Sequence, residues 1–357
     1  MAHKEPTTEG RPTKRKTAIY ICIAIAIGLV TNIFMGLLMD GGKIWRSVSA
    51  VSIWLIILTF VAYLGVSTVD SLRLLLVSRR CRYPVSLRNC LLNSFVGAFF
   101  AHITPLAMGG QPFQIVHLSY HGMTKQIATN IIFSRFVVNA MLLVLLLIIG
   151  LPVVIGIFGS ITGLAILFYT GLLVSIIFAL FFLLVLIQPR IVSWLSSYLA
   201  HTRLGRFFGR TIKHPDWQQD FEVWTRELRV EIRFLWSKGL GTMLVDILLN
   251  VVDLLLLAFA LWYPLVKLVD PNISFIQVLV IYNAVWQVVF YIPSPGASGG
   301  LEGMFTLVFS TLTGKAEMTL VAIVVWRFST YYLSLVPGIL LSSIAFRRQQ
   351  GQRTRQS

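Results

Sequence analysis

Thr104-Pro105-Leu106-Ala107-Met108-Gly109-Gly110 and Ser294-Pro295-Gly296-Ala297-Ser298-Gly299-Gly300 carry the same Pro-x-x-x-Gly-Gly pattern, 190 residues apart. Each ends a short apolar stretch, 88–104 in the first case and 274–292 in the second. Proline and glycine both break helices, so each stretch stops where a full crossing would still be under way. Each motif is followed by a lysine (Lys125, Lys315) and then by an Arg-Phe pair inside a long apolar run (Arg135-Phe136, Arg327-Phe328). One of these spacings differs by two residues. A single Pro-x-x-x-Gly-Gly match means little; its value depends on where the rest of the chain puts the two copies.

Of the 357 residues, 56% are hydrophobic and 12% are charged. Soluble domains carry roughly 25% charged residues. Long apolar runs lie at 18–39, about 50–69, 126–150, 163–187, 240–262 and 317–345, each near or above the ~18 residues that cross a membrane. The formal net charge of +16 would suggest nucleic acid on a soluble protein. Here the basic residues cluster between apolar runs, which the positive-inside rule explains, so no nucleic acid is expected. Cys22, Cys81 and Cys90 have neither a metal-ligand spacing nor a disulfide pattern. The run 18–39 is too long for a signal-peptide core and reads as a retained first span.

Charge orients the chain. Residues 1–17 hold five Lys/Arg, 70–88 hold Arg73, Arg79, Arg80, Arg82 and Arg88, 188–238 hold nine, and the tail holds Arg347, Arg348, Arg353 and Arg355. These segments are expected in the cytosol, and the poorly basic 40–49, 151–162 and 263–273 outside. Segment 88–125 must then start and finish on the cytosolic side, and 274–316 must start and finish outside. The expected fold is an all-α polytopic membrane protein with six full spans plus two re-entrant hairpins in an inverted repeat, with N and C termini cytosolic. Its first half is 18–150 with hairpin 88–125, and its second half is 163–345 with hairpin 274–316. Basic tails at 1–17 and 346–357 flank this single membrane domain, 18–345. A cytosolic amphipathic insertion, 188–238, places Trp217, Phe221, Trp224, Leu228 and Leu235 at helical spacing with Arg226, Arg229 and Arg233 among them. Such a helix either lies on anionic headgroups or packs under the bundle.

Broken helices at membrane depth must face protein or a wet cavity, because lipid cannot pair their backbone groups. Gly109, Gly110, Gly299 and Gly300 are therefore candidates to receive an anion at hairpin tips. Arg135 and Arg327 lie within apolar spans, where a charge costs about 2.5–3.5 kcal/mol. Guanidinium matches phosphate bidentately, so the two arginines are expected to hold a lipid phosphate from the two halves. The plainer alternative is an internal ion pair with Glu302 or Asp253. Asp246, Asn250 and Asp253, spaced by four and three, share one helical face. Asp246 is close enough to the span's end to lie at the interface, whereas Asp253 is nearer mid-span. Glu302 follows the second Gly-Gly and can pair with an arginine, carry a proton or contact a headgroup. Gln111, Gln114, His117 and His102 surround the first break as satisfied polar positions near a cleft, without metal-ligand spacing. Asp70 and Arg73, one helical turn apart, are expected to form a structural pair at the interface. There is no P-loop, G-x-S-x-G, H-E-x-x-H or Rossmann fingerprint, so no enzyme activity, cofactor or metal is expected.

Pro105…Gly109-Gly110-Gln111-Pro112 followed by Arg135, and Pro293-Ser294-Pro295-Gly296…Gly299…Glu302 followed by Arg327, together with Asp70, Arg73 and Arg80, are the residues in which the chain resembles the lysylphosphatidylglycerol synthase transmembrane-region family, also called flippase-like membrane proteins. The resemblance covers about 18 to 345. It implies translocation of a lipid with a large polar head across the cytoplasmic membrane, an aminoacyl-phosphatidylglycerol or a polyprenyl-linked glycolipid, by a flippase or scramblase. The family's synthases add a soluble aminoacyl-transferase domain. This chain stops at Ser357, so that activity is expected to be absent. Gln111 stands where relatives commonly have Glu, so the resemblance does not imply a matched acidic pair. The alternatives are a secondary transporter of a small soluble anion and a non-transporting scaffold or regulator of a lipid-modifying enzyme. Expected partners are a membrane phospholipid or lipid-linked substrate, with a second copy of the chain or a separate lipid-modifying enzyme as further candidates.

Overall fold

A computed structural model describes residues 51–104, 107, 109–158, 162–188, 191, 217–289 and 294–342. The expected first span, 18–39, both basic tails and most of 188–216 lie outside the described residues. What is described is helical: α1 (Ile53–Arg80), α2 (Leu87–Ile103), α3 (Gly110–Tyr120), α4 (Lys125–Ile149), α5 (Leu151–Phe158), α6 (Thr162–Ile187), α7 (Trp217–Lys238), α8 (Leu240–Leu268), α9 (Phe275–Val289), α10 (Gly300–Thr313) and α11 (Ala316–Arg327). α11 runs through a π-helical turn, Phe328–Tyr332, and continues as helix to Ser342. Five stretches among the described residues are long and apolar enough to cross a membrane: Ile53–Arg80, Lys125–Ile149, Phe168–Ile187, Leu240–Leu268 and Ala316–Ser342. The chain is a multi-pass helical membrane protein. Apolar side chains such as Leu145, Ile149, Leu173, Ile177, Leu244 and Leu248 are exposed, while Asn130, Asp246, Asn250 and Glu302 are buried. Lipid explains this distribution, which water would oppose.

Local chemistry sets the helix starts. Ser86 accepts a hydrogen bond from Asn89 N and opens α2, and Thr124 accepts one from Ile127 N and opens α4. Two boundaries differ from the sequence reading. The helix expected to end near 69 continues to Arg80, because Asp70 and Arg73 find partners on neighbouring helices instead of water. The expected loop 151–162 contains α5. α1 and α8 pack along their lengths.

The amphipathic helix α7 packs against the bundle. Leu228 and Ile232 are buried with Val137 of α4 and Leu186 of α6, and Trp236 Nε1 donates to Ser134 Oγ of α4. Its Arg226 and Arg233 remain exposed.

The two Pro-x-x-x-Gly-Gly motifs share a backbone hydrogen bond and an alanine conformation at matching positions. Ala107 N–H donates to Thr104 O and Ala297 N–H to Ser294 O. Ala107 and Ala297 have φ of 54° and 53°, a left-handed conformation that costs a residue with a Cβ about 1–2 kcal/mol. The helix after each turn also ends on a left-handed glycine, Gly122 at φ 91° and Gly314 at φ 69°. The turns touch a common neighbour. The Tyr331 ring lies where a Cβ on Gly296 would sit, 2.2 Å from its Cε2, and the Tyr331 hydroxyl donates to His102 O near the end of α2.

Replacing Gly296, whose φ is 58°, with alanine forces a left-handed Cβ into the Tyr331 ring. We expect Gly296→Ala to destabilise the fold by roughly 2–4 kcal/mol, read as a lowered unfolding midpoint in detergent. A midpoint equal to wild type would show that Tyr331 does not hold the second turn.

Candidate functional site

Five charged residues from three helices meet inside the bundle. Arg73, on α1, is 4% exposed and faces α8. Its Nε and Nη2 donate to Asp246 Oδ1 and Oδ2 at 3.0 and 3.2 Å, and its Nη1 donates to Asn250 Oδ1 at 2.8 Å and Asp253 Oδ2 at 2.9 Å. The face shared by Asp246, Asn250 and Asp253 is thus bound by one guanidinium. Asp246 is fully buried within the bundle. Asp70 forms the expected ion pair with Arg73 at 4.0 Å and also bonds Arg135 of α4. Arg135 Nη2 donates to Asp70 Oδ1 and, at 3.0 Å, to Asp70 O, while Arg135 Nε lies 3.5 Å from Asp246 Oδ1 without a hydrogen bond.

This network borders a cavity of about 260 Å³ between α1, α3, α4 and α8. Asp70, Arg73, Gln111, Gln114, Arg135, Asn139, Asn250 and Asp253 supply its polar wall, and Val66, Ile132, Phe136, Leu254 and Leu257 its apolar wall. Three buried polar atoms on residues of the wall have no hydrogen-bond partner: Arg135 Nε, Asn250 Nδ2 and Asp253 Oδ1. Leaving such atoms unpaired typically costs about 1–3 kcal/mol each, more for charged groups, so a polar occupant that pairs them is favoured.

A second charged cluster surrounds the other turn. Arg327, 4% exposed, donates from Nε to Glu302 Oε1 at 2.8 Å and from Nη2 to Gly296 O and Ser298 Oγ at 2.8 and 3.1 Å. Its guanidinium carbon lies 4.4 Å from the Tyr331 ring centroid. Glu302 Oε2 accepts from Gly299 N at 2.8 Å. Among the described residues, Arg135 and Arg327 share no hydrogen-bond or ion-pair partner: the first borders the cavity, the second braces its turn. The expected alternative of an Arg327–Glu302 pair is formed, whereas Arg135 pairs with Asp70, not Asp253.

Two of the four turn glycines have their N–H groups engaged. Gly109 N donates to Thr104 Oγ1 at 2.9 Å, and Gly299 N is taken by Glu302. Gly110 packs on α2, where a Cβ would come within 3.0 Å of Gly97 O, and Gly300 begins α10. His117 is buried against α2, its Nδ1 3.1 Å from Asn93 Nδ2, and does not line the cavity. His102 lies 3.3 Å from the Tyr63 hydroxyl and 3.2 Å from Ser334 Oγ. No metal-binding cluster occurs among the described residues.

The sequence reading missed the central place of Arg73 and the wall position of Asn139. An acidic face on α8 called for a buried cation, and Arg73 lies on the other long helix; that was the available signal.

The chain matches the family described as the lysylphosphatidylglycerol synthase TM region over residues 21–338. It belongs to this family. The match spans both turn motifs and every residue of the cavity wall. Against curated proteins the chain has no match. Membership in the lysylphosphatidylglycerol synthase TM-region family connects the protein with membrane lipid.

Removing Arg73 leaves Asp246 and Asp253 buried without their main cation. We expect Arg73→Gln to destabilise the protein by about 3–5 kcal/mol, and Asp246→Asn added to it to recover part of the loss, measured by denaturation in detergent. Additive losses would show that the residues do not act as a unit.

Proposed function

We propose that this protein is a carrier, without catalytic activity of its own, that moves a phosphate-bearing lipid headgroup across the cell membrane as a flippase or scramblase. The observation that supports this best is the polar cavity itself. Its volume of about 260 Å³ holds several waters' worth of space inside a bundle whose outer face is apolar. Lipid offers no reason to maintain such a hole.

In this reading a phosphate oxygen takes the unbonded Nε–H of Arg135, and Asn250 Nδ2 with Gln111 and Gln114 supplies neutral donors. Arg73 commits four of its five N–H groups to α8 and holds the wall. Arg327, with Glu302, keeps the second turn in shape and does not touch the headgroup. The acyl chains remain in lipid while the head crosses. The two matching turns, entered from opposite faces as the charge distribution requires, form an inverted repeat of re-entrant hairpins that alternates access. The substrate classes suggested by the family are aminoacyl-phosphatidylglycerol and polyprenyl-linked glycolipid.

The full-length protein in vesicles containing a head-labelled phospholipid tests this reading. Arg135→Gln is expected to slow headgroup translocation at least about tenfold, the effect of losing roughly 1.4 kcal/mol of binding to the moving group, while its elution profile stays that of wild type. An unchanged rate would remove Arg135 from the pathway. Uptake of labelled inorganic phosphate without lipid movement would assign the cavity to a soluble anion.

A further inference from the structure

The cavity network does not balance its charges. Asp70, Asp246 and Asp253 meet two guanidinium groups, Arg73 and Arg135. The other polar side chains of the wall, Gln111 and Gln114 from α3, Asn139 from α4 and Asn250 from α8, are neutral. Fully ionised, the set carries one excess negative charge within apolar helices, where an uncompensated ion is costly.

The three carboxylates are not equivalent. Asp246 accepts two N–H groups from Arg73 and has Arg135 Nε at 3.5 Å. Asp70 accepts from Arg135, lies 4.0 Å from Arg73, and its side chain is 29% exposed. Asp253 accepts one N–H, from Arg73 Nη1, through Oδ2. Its Oδ1 has no partner although the residue is only 6% exposed and borders the cavity.

We propose that Asp253 Oδ1 carries an exchangeable proton, and that the cavity works in two states that differ by this proton. Taking it up, a hydronium ion entering the cavity from solvent gives its proton to Oδ1, an O–H bond forms, Oδ2 continues to accept from Arg73, and a water molecule is left behind. The cavity is then neutral and can admit an anionic phosphate at Arg135. Releasing the proton to water restores the excess negative charge beside that phosphate and expels it. The proton site stands on the charge count and the orphan oxygen alone. Its coupling to headgroup movement rests on the transport function proposed above, which makes the carrier a lipid–proton symporter.

Infrared spectra of the purified full-length protein, recorded across pH in light and heavy water, read the proton directly through the carbonyl stretch of a protonated carboxyl. The wild-type spectrum should contain a titrating band that Asp253→Asn removes; the asparagine keeps an oxygen for Arg73 Nη1. Asp70→Asn should remove it too, because two carboxylates then match two guanidiniums and Asp253 ionises. A band that survives Asp253→Asn, is unaffected by Asp70→Asn, or is missing from wild type would overturn the proposal. So would a band that appears or vanishes on exchanging sodium for choline, which would make sodium the bound cation. In vesicles, wild-type translocation should change up to about tenfold per pH unit, as one coupled proton requires, and become insensitive in Asp253→Asn. Infrared changes as expected without any lipid movement would defeat the transport reading alone. Lipid movement without the infrared changes would defeat the proton site alone.

Discussion

A single guanidinium, that of Arg73, ties together the two longest of the described helices, α1 and α8. It fills an acidic groove on α8 with three nitrogens and four hydrogen bonds. In water such a bond would be weak, because solvent competes for every donor. Between apolar helices the competition is gone, and the penalty for separating the partners rises accordingly. The contact therefore fixes, through directional bonds, how α1 and α8 sit against each other. Asp70 and Arg135 are attached to this centre, and the cavity is the space their geometry leaves open.

The two turns show how one local design is held by two kinds of chemistry. Both place an alanine in a left-handed conformation and close a backbone hydrogen bond from that alanine to a hydroxyl-bearing residue. In the first, the threonine hydroxyl also takes the glycine N–H. In the second, Glu302 takes it and is itself held by Arg327. Strained backbone of this type persists only where its surroundings over-determine it. Tyr331, between Gly296 and His102, brings the two turns within reach of one side chain.

How much of this was legible in the sequence follows from the range of each interaction. The turns were visible because Pro and Gly act locally, and the common face of Asp246, Asn250 and Asp253 was visible because helical periodicity is local as well. The partner of that face was not. Arg73 is 173 to 180 residues from the groups it binds, and nothing in either helix encodes their mutual rotation. The neighbour three residues away, Asp70, was the readable partner, and it is the weaker one. The same limit hid the split between Arg135 and Arg327. Equivalent positions in a repeated sequence suggested a shared ligand, but one arginine follows a turn with an acid beside it and the other follows a turn with Gln111-Pro112 instead. The N–H groups of Gly109 and Gly299 seemed free for an anion because sequence does not reveal that Thr104 and Glu302 reach them first.

The unequal fastening of the two turns has a mechanical consequence. A neutral hydroxyl–amide bond is about half as strong as one that involves a charged partner, so under equal load the threonine-closed loop yields before the salt-bridged one. It lies beside α3, which contributes Gln111 and Gln114 to the cavity wall, whereas the other turn is braced by Arg327 and Tyr331.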